Sequence, residues 1–208
     1  KFLNKQFTQE TLKIALPVTL TQVGQVSVNL FDNIIVGKLL GAKALAAVSL
    51  GNAMFFSIFI FGLGFSLAIP PLVSEAHSQH NHNRINSIFR HGFVVNIILA
   101  FVLMLLIFGI IPLMPYLNQP KEILPDTITF LSIVTLSIIP FMIFQTMREV
   151  SEGLSFTIGV TKATIFANVI NVILNYVFIE NFKMGVAGSA WATFIARVAM
   201  MVFLYYVL

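Results

Sequence analysis

One acid lies inside a long apolar stretch near the start of the chain. The stretch from Ile14 to Gly37 reads IALPVTLTQVGQVSVNLFDNIIVG, and its one formal charge is Asp32. An ionised carboxylate in hydrocarbon costs about 2.5 kcal/mol or more, so a chain keeps one mainly where it faces water or has a function. On a helix, five polar side chains fall within an arc of about 100°: Gln22, Gln25, Asn29, Asp32 and Asn33. This polar stripe makes Asp32 the first functional candidate, although its amides could simply hydrogen-bond to neighbouring helices.

Three asparagines share one face of a later predicted helix. Their spacing of i, i+3 and i+7 brings them within about 60° of one another. They are Asn168, Asn171 and Asn175. Buried amides are costly unless they have partners. One carboxylate with several amide and hydroxyl oxygens suits a small alkali cation, and it equally suits a proton held on Asp32.

The last apolar stretch carries a polar ridge. Ser189, Thr193 and Arg197 follow one another at intervals of four residues, which is one face of a helix. Arg197 could extend to the cytoplasmic interface or pair with an acid, and we expect the first.

The composition predicts an integral, all-α membrane protein. Of the 208 residues, 58% are hydrophobic and 10% are charged, and the mean hydropathy is +0.93. No alternation typical of a transmembrane barrel occurs, so helices must satisfy the backbone hydrogen bonds in lipid. Six stretches are each long enough to cross a hydrocarbon core about 30 Å thick. The predicted helices are 14–37, 44–73, 92–114, 123–147, 160–179 and 185–208.

The distribution of basic residues predicts the orientation. With the amino terminus inside, the Lys and Arg residues between the spans favour a cytoplasmic location for both ends, in the plasma (inner) membrane. The inner set is Lys1, Lys5, Lys13, Arg84, Arg90, Arg148 and Lys162, and the outer set is Lys38, Lys43, Lys121 and Lys183.

Other functional classes find little support. All four histidines lie at 77, 80, 82 and 91 in a polar connector; we expect a solvated, basic loop there rather than a metal site. No catalytic triad, zinc motif or phosphate loop occurs, so no enzyme and no cofactor are expected. The net charge of +4 is thinly spread, without the basic runs that nucleic-acid binding requires.

Four stretches, taken together and in order, resemble the amino-terminal half of the multidrug and toxic compound extrusion (MATE) family of transporters. They are NLFDNIIVGKLLGAKALAAVSLGN, GLGFSLAIPPLVSEAHSQHN, MREVSEGLSFTIGVTKATIFANVINVILNYVFI and GVAGSAWATFIA. The resemblance covers nearly all of the chain. It implies that residues 1–208 form one six-helix lobe of a twelve-helix, two-lobe transporter.

The resemblance also implies roles for individual residues. Asp32 matches the acid that couples cation movement to export, and Pro17 matches a proline at which the first helix bends. Asn171, Asn175 and Thr193 match positions that complete the cation site, with an aspartate at the position of Asn175 in some branches of the family. A sodium site at these residues is the one metal site expected. Four further residues are expected to form the polar lining of the lobe: Gln22, Gln25, Asn29 and Asn168.

The leading hypothesis is therefore a proton- or sodium-coupled antiporter lobe that exports hydrophobic or cationic small molecules such as drugs. Its expected partners are the exported compound, membrane lipid, and either a missing carboxy-terminal lobe or a second copy of the chain. We expect the missing lobe, because Lys1 and Leu208 both look like cut ends. The alternatives are a flippase for lipid-linked glycan precursors, which Arg197 alone favours, and a truncated membrane scaffold without transport activity.

Overall fold

The chain folds into long helices that lie side by side. The computed structural model describes residues 5–117 and 119–208; the side chains of residues 5–14, 17, 18, 21, 22, 25, 28 and 29 lie outside this description. No β-strand occurs in the described ranges. The helices are α1 Lys5–Leu40, α2 Ala42–Ser66, α3 Ile69–Ser78, α4 His82–Ile110 with a 3-10 turn Ile111–Tyr116, α5 Leu124–Leu136, α6 Ile138–Gly153, α7 Thr157–Tyr176 with a π-helical turn Val177–Asn181, and α8 Gly185–Val207.

Two helices that the sequence analysis predicted as continuous are broken. The predicted helix 44–73 consists of α2 and α3, and the predicted helix 123–147 consists of α5 and α6, which meet at an angle of 46°. Ser66, the last residue of α2, lies four positions before Pro70. Leu136, the last residue of α5, lies four positions before Pro140. A proline has no N–H to donate to the carbonyl four residues earlier, so the helical ladder ends there.

The apolar helices confirm an all-α membrane protein. Among the described residues, four helical segments are long and apolar enough to cross a membrane, and a fifth is added if the bent pair of α5 and α6 is one span. They are Ala42–Ser78, His82–Tyr116, Thr157–Asn181, Gly185–Val207 and the bent pair. The first predicted span, 14–37, lies within α1 and is not among them; many of its side chains lie outside the described residues.

The packing places the end of α1 in the interior. α1 runs along α7 and also contacts α2 and α8, while α8 packs against α5, α6 and α7. The largest core lies between α2, α4 and α5 around Phe55, Phe59 and Phe130. Gly41, with φ of +86°, turns the chain from α1 into α2, a backbone conformation that a side chain would strain. Asp32 thus approaches α7 and α8 from two turns before this reversal.

One buried amide serves as a hydrogen-bonding contact between helices. Asn96 on α4 donates from Nδ2 to Thr146 Oγ1 on α6 at 2.8 Å, and its Oδ1 accepts from Ser66 Oγ on α2 at 3.3 Å. Such bonds between membrane helices contribute about 0.6 to 2 kcal/mol. Asn96 therefore connects three helices at a distance from the candidate site.

Candidate cation site

The Asp32 carboxylate is buried and has hydrogen-bond partners on two other helices. The residue is 2% exposed. Asn175 Nδ2, on α7, donates to Asp32 Oδ1 at 2.5 Å, and Thr193 Oγ1, on α8, donates to Asp32 Oδ2 at 3.2 Å. Both carboxylate oxygens thus accept from neutral side chains, in the arrangement that a buried acid requires.

Asn171 completes the cluster one helical turn away from Asn175. Its Nδ2 donates to Thr193 Oγ1 at 3.4 Å, and its backbone and side-chain oxygens both lie 3.2 Å from Asn175 Nδ2. Asn171 and Asn175 are fully buried. The four residues that the sequence analysis assigned to cation coupling therefore lie in one contiguous network: Asp32, Asn171, Asn175 and Thr193.

The oxygen ligands of this network suit either a proton or a small alkali cation. The network contains a carboxylate, two amide oxygens and a hydroxyl, which are the oxygen ligands that a hard cation prefers. Asn175 Oδ1 has no hydrogen-bond partner in the described part of the chain. An amide can exchange the positions of its oxygen and nitrogen by rotation, so Asn175 can present either an N–H or an oxygen toward Asp32. The network can therefore hold a proton on Asp32 or an alkali ion between these oxygens.

Asn168 lies outside this network. Its Nδ2 donates to the backbone oxygen of Gly24 on α1 at 2.8 Å. A Cβ added at Gly24 would lie 3.1 Å from Thr164 Cγ2, so the glycine permits a close approach of α1 to α7. Asn168 thus holds these two helices together two turns away from Asp32.

Four other predicted site residues lie on α1, but their side chains are outside the described residues. They are Pro17, Gln22, Gln25 and Asn29. Their assignments as hinge and polar lining stay predictions.

Ser189 is a residue that the site assignment missed. It is fully buried on α8, one turn before Thr193, and its backbone oxygen lies 3.1 Å from Thr193 Oγ1, as an alternative acceptor to Asp32 for the one hydroxyl hydrogen of Thr193. Ser189 Oγ has no hydrogen-bond partner among the described residues. The spacing of four residues within the polar ridge was the signal that connects Ser189 with Thr193.

Arg197 does not extend to the membrane interface, so the expectation from the sequence was wrong. Its guanidinium carbon lies 4.6 Å from the ring centres of both Phe55 and Phe141, and Nη1 donates to Ser137 Oγ at 2.6 Å. This position is one helical turn beyond Thr193, and the positive charge attracts the Asp32 carboxylate. No direct ion pair between Arg197 and Asp32 occurs in the described ranges.

The histidine segment is exposed, but it is helical and not the loop that the sequence analysis expected, because His77 lies on α3 and His82 and His91 lie on α4. His77, His80, His82 and His91 are all exposed, and no group of three potential metal ligands occurs among the residues described. Arg84 binds both carboxylate oxygens of Glu75, at 3.1 and 3.2 Å. An exposed ion pair thus joins α3 to α4.

The described part of the chain is a bundle of apolar helices in which Asp32 is buried among amide and hydroxyl partners. The family model described as MatE matches residues 17–177, and the chain belongs to this family. The family expected from the sequence motifs is thereby confirmed.

Relatives of known name agree with this assignment. The chain is 28% identical over 190 residues to the multidrug resistance protein NorM of Photobacterium profundum, across 89% of this chain and 41% of that relative. It is also 28% identical over 198 residues to the probable multidrug resistance protein NorM of Agrobacterium fabrum, across 93% of this chain and 42% of that relative. The chain therefore spans about two fifths of the length of these relatives.

Solved structures match the fold of the whole chain. A crystal structure of MATE in the straight conformation has a TM-score of 0.89 at 17% identity, across 98% of this chain and 46% of that one. A crystal structure of MATE in the bent conformation has a TM-score of 0.87 at 20% identity, across 94% of this chain and 44% of that one. The predicted fold class, a single lobe of a two-lobe membrane protein, is confirmed.

Proposed function

We propose that this chain is the amino-terminal lobe of a cation-coupled antiporter that exports hydrophobic or cationic small molecules such as drugs. The observation that carries the proposal is the buried Asp32 carboxylate, to which Asn175 and Thr193 donate from two other helices. A buried acid of this kind in a membrane helix is a functional candidate by default. The relatives named as multidrug resistance proteins support export of drugs.

The coupling ion is a proton or sodium, and it acts by changing the hydrogen bonds of Asp32. A proton or a sodium ion neutralises the carboxylate and thereby weakens the charge-assisted hydrogen bonds that it accepts from Asn175 and Thr193. Because these bonds join α1 to α7 and α8, their weakening frees the end of α1 to shift. Pro17 is the proposed position at which α1 bends in response.

The complete transporter requires a second lobe of similar size. Alternating access in this architecture depends on two halves that move around a shared cavity. Relatives more than twice as long as the aligned region support a carboxy-terminal lobe, with a second copy of the chain as the alternative. We place the assembly in the plasma (inner) membrane, in contact with lipid. The distribution of Lys and Arg residues favours a cytoplasmic location for both ends of this segment.

Asp32→Asn in the complete transporter tests the proposal. In proteoliposomes with an imposed cation gradient, the variant should bind the exported compound but lose exchange of cation for compound. Asp126→Asn is the matched control, because Asp126 lies in the first turn of α5 and is expected to leave exchange unchanged. Normal coupled exchange by a well-folded Asp32→Asn variant would exclude Asp32 as the coupling residue.

The alternative functions receive less support. The flippase hypothesis rested on Arg197 as a cationic lining residue, but its guanidinium lies between two phenylalanine rings inside the lobe. A scaffold without transport activity would have no need for a buried acid with matched donors. Efflux measurements on the complete protein distinguish both alternatives from the antiporter.

A further inference from the structure

A second buried acid lies at the other end of the lobe. Glu149, near the carboxyl end of α6, is 1% exposed, and its Oε1 accepts from Gln145 Nε2 at 2.6 Å. Its other oxygen, Oε2, has no hydrogen-bond partner among the described residues, and the same holds for Gln145 Oε1. Gln145 is itself 2% exposed. Two buried oxygens without partners, one of them on a carboxyl group, need an explanation.

Glu149 forms no ion pair with any described residue. Its neighbour Arg148 donates from Nε to Glu152 Oε1 at 2.7 Å. Arg148 and Glu152 are the charged groups of the described chain that act on Glu149, and together they carry no net charge. The other titratable residues on helices packed against α6 are exposed, bonded elsewhere or at its far end: Lys43, Glu75, His77, His82, Arg84, Arg90, His91, Asp126, Lys162, Tyr176, Arg197, Tyr205 and Tyr206.

The burial of Glu149 leaves room only for a very small ligand. The apolar cavity beside α6, about 450 Å³ in volume, is lined by Ile143 and Met147 but not by Glu149. This cavity therefore gives an organic cation no access to the carboxyl group. A proton needs no cavity, and it removes the charge that is costly to bury.

Gln145 is suited to both forms of the acid. An amide nitrogen can donate to the carboxylate, and after rotation of the amide its oxygen can accept from the carboxylic acid. The pair therefore keeps a hydrogen bond whether or not the proton is present.

We propose that Glu149 is a second proton-binding group of this lobe and that Gln145 is its positioning residue. The site lies near the end of α6, next to the start of α7, whereas Asp32 and Asn175 lie toward the opposite end of the bundle. The two acids are thus separate groups at opposite ends of the helical bundle. The proposal needs no contribution from Asp32 and stands apart from the proposed function.

Infrared spectroscopy of the full-length protein tests this proposal. In wild-type protein labelled with [¹³C]glutamate, we expect a C=O band of a protonated carboxyl group near neutral pH. The band should disappear in Glu149→Gln and persist in Glu152→Gln, the matched control on the same helix. Asp32 is not labelled, so the band is independent of the coupling proposal and should also persist in Asp32→Asn.

A second measurement requires no substitution. Raising the pH of the labelled wild-type protein should convert the C=O band into the band of a carboxylate, because only the protonated carboxyl group gives the first band. Absence of a glutamic acid band in the wild type, or its persistence in Glu149→Gln, would overturn the proposal. A C=O band that stays unchanged at every pH at which the protein remains folded would overturn it as well.

Discussion

Arg197 on α8 donates a hydrogen bond of 2.6 Å to Ser137 Oγ, at the point where α5 ends and α6 begins. Ser137 Oγ in turn lies 2.5 Å from the carbonyl oxygen of Val134. Pro140 leaves the carbonyl of Leu136 without its helical partner, and the bend of 46° forms at this place. Arg197 therefore connects α8, the helix that carries Thr193, with the bend between α5 and α6.

Arg197→Lys should destabilise the protein by about 1 to 3 kcal/mol. Lysine keeps the positive charge but lacks the planar guanidinium that fits between Phe55 and Phe141. Thermal unfolding in detergent measures the effect. Arg90→Lys, the same change at an exposed position, should leave stability unchanged, and equal losses in both variants would contradict the structural role of Arg197.

If sodium is the coupling ion, Thr193→Val should weaken its apparent affinity by about two- to tenfold, because the site loses one oxygen ligand. If the coupling ion is a proton, its apparent affinity should rise instead, because the carboxylate loses a hydrogen bond that stabilises its charged form. Thr193→Ser retains the hydroxyl and should behave like the wild type. The cation concentration that gives half-maximal efflux provides the measurement. Thr164→Val is a buried control whose hydroxyl donates to Val160 in its own helix; a similar change in affinity there would show that Thr193 has no special role.

Asn175→Asp should increase sodium affinity by about tenfold, because a second carboxylate adds charge to the ligand set. Binding of radioactive sodium to the purified full-length transporter measures this change. Asn168→Asp is the matched control, since it makes the same substitution on α7 at a residue that contacts Gly24 instead of Asp32. If the two variants bind sodium equally well, Asp32 and Asn175 do not share a cation.

Gly153→Ala should destabilise the fold by about 1 to 3 kcal/mol, the usual cost of overpacking. An added Cβ would lie 2.7 Å from Val73 Cβ and 2.9 Å from the backbone oxygen of Pro70, and backbone cannot easily move away. Gly64→Ala, at a position where nothing lies within 4 Å of the added Cβ, should be neutral or stabilising by up to about 1 kcal/mol. Heat-induced loss of the folded species, followed by size exclusion, distinguishes the two variants.

Much of the candidate site could be predicted from the chain because membrane helices contain few polar residues. Asp32 stands out in an apolar stretch, and the intervals that relate Asn171 to Asn175 and Ser189 to Thr193 put each pair on one helix face. The helices themselves follow from length and hydropathy. The breaks after Ser66 and Leu136 also follow from local chemistry, since each lies four residues before a proline, although the sequence analysis predicted continuous helices there.

Glu149 shows what local patterns do not reveal. It lies in a run of charged residues, Arg148-Glu149-Val150-Ser151-Glu152, which the sequence suggests is a solvated connector. In the structure this run is the end of α6, packed against α3, α4 and α8. Burial of Glu149 depends on those neighbours and cannot be recognised from the run itself.

The sequence by itself determined the class of protein, the positions of most helices and the candidate residues of the cation site, because hydropathy and helical period are local properties. The tertiary structure decided which of these residues come into contact. Asn168 and Asn175 share one face of α7 but lie two turns apart, and the register between α1 and α7 brings Gly24 to the first and Asp32 to the second. That register results from packing between residues more than 140 positions apart, and no periodicity within either helix specifies it.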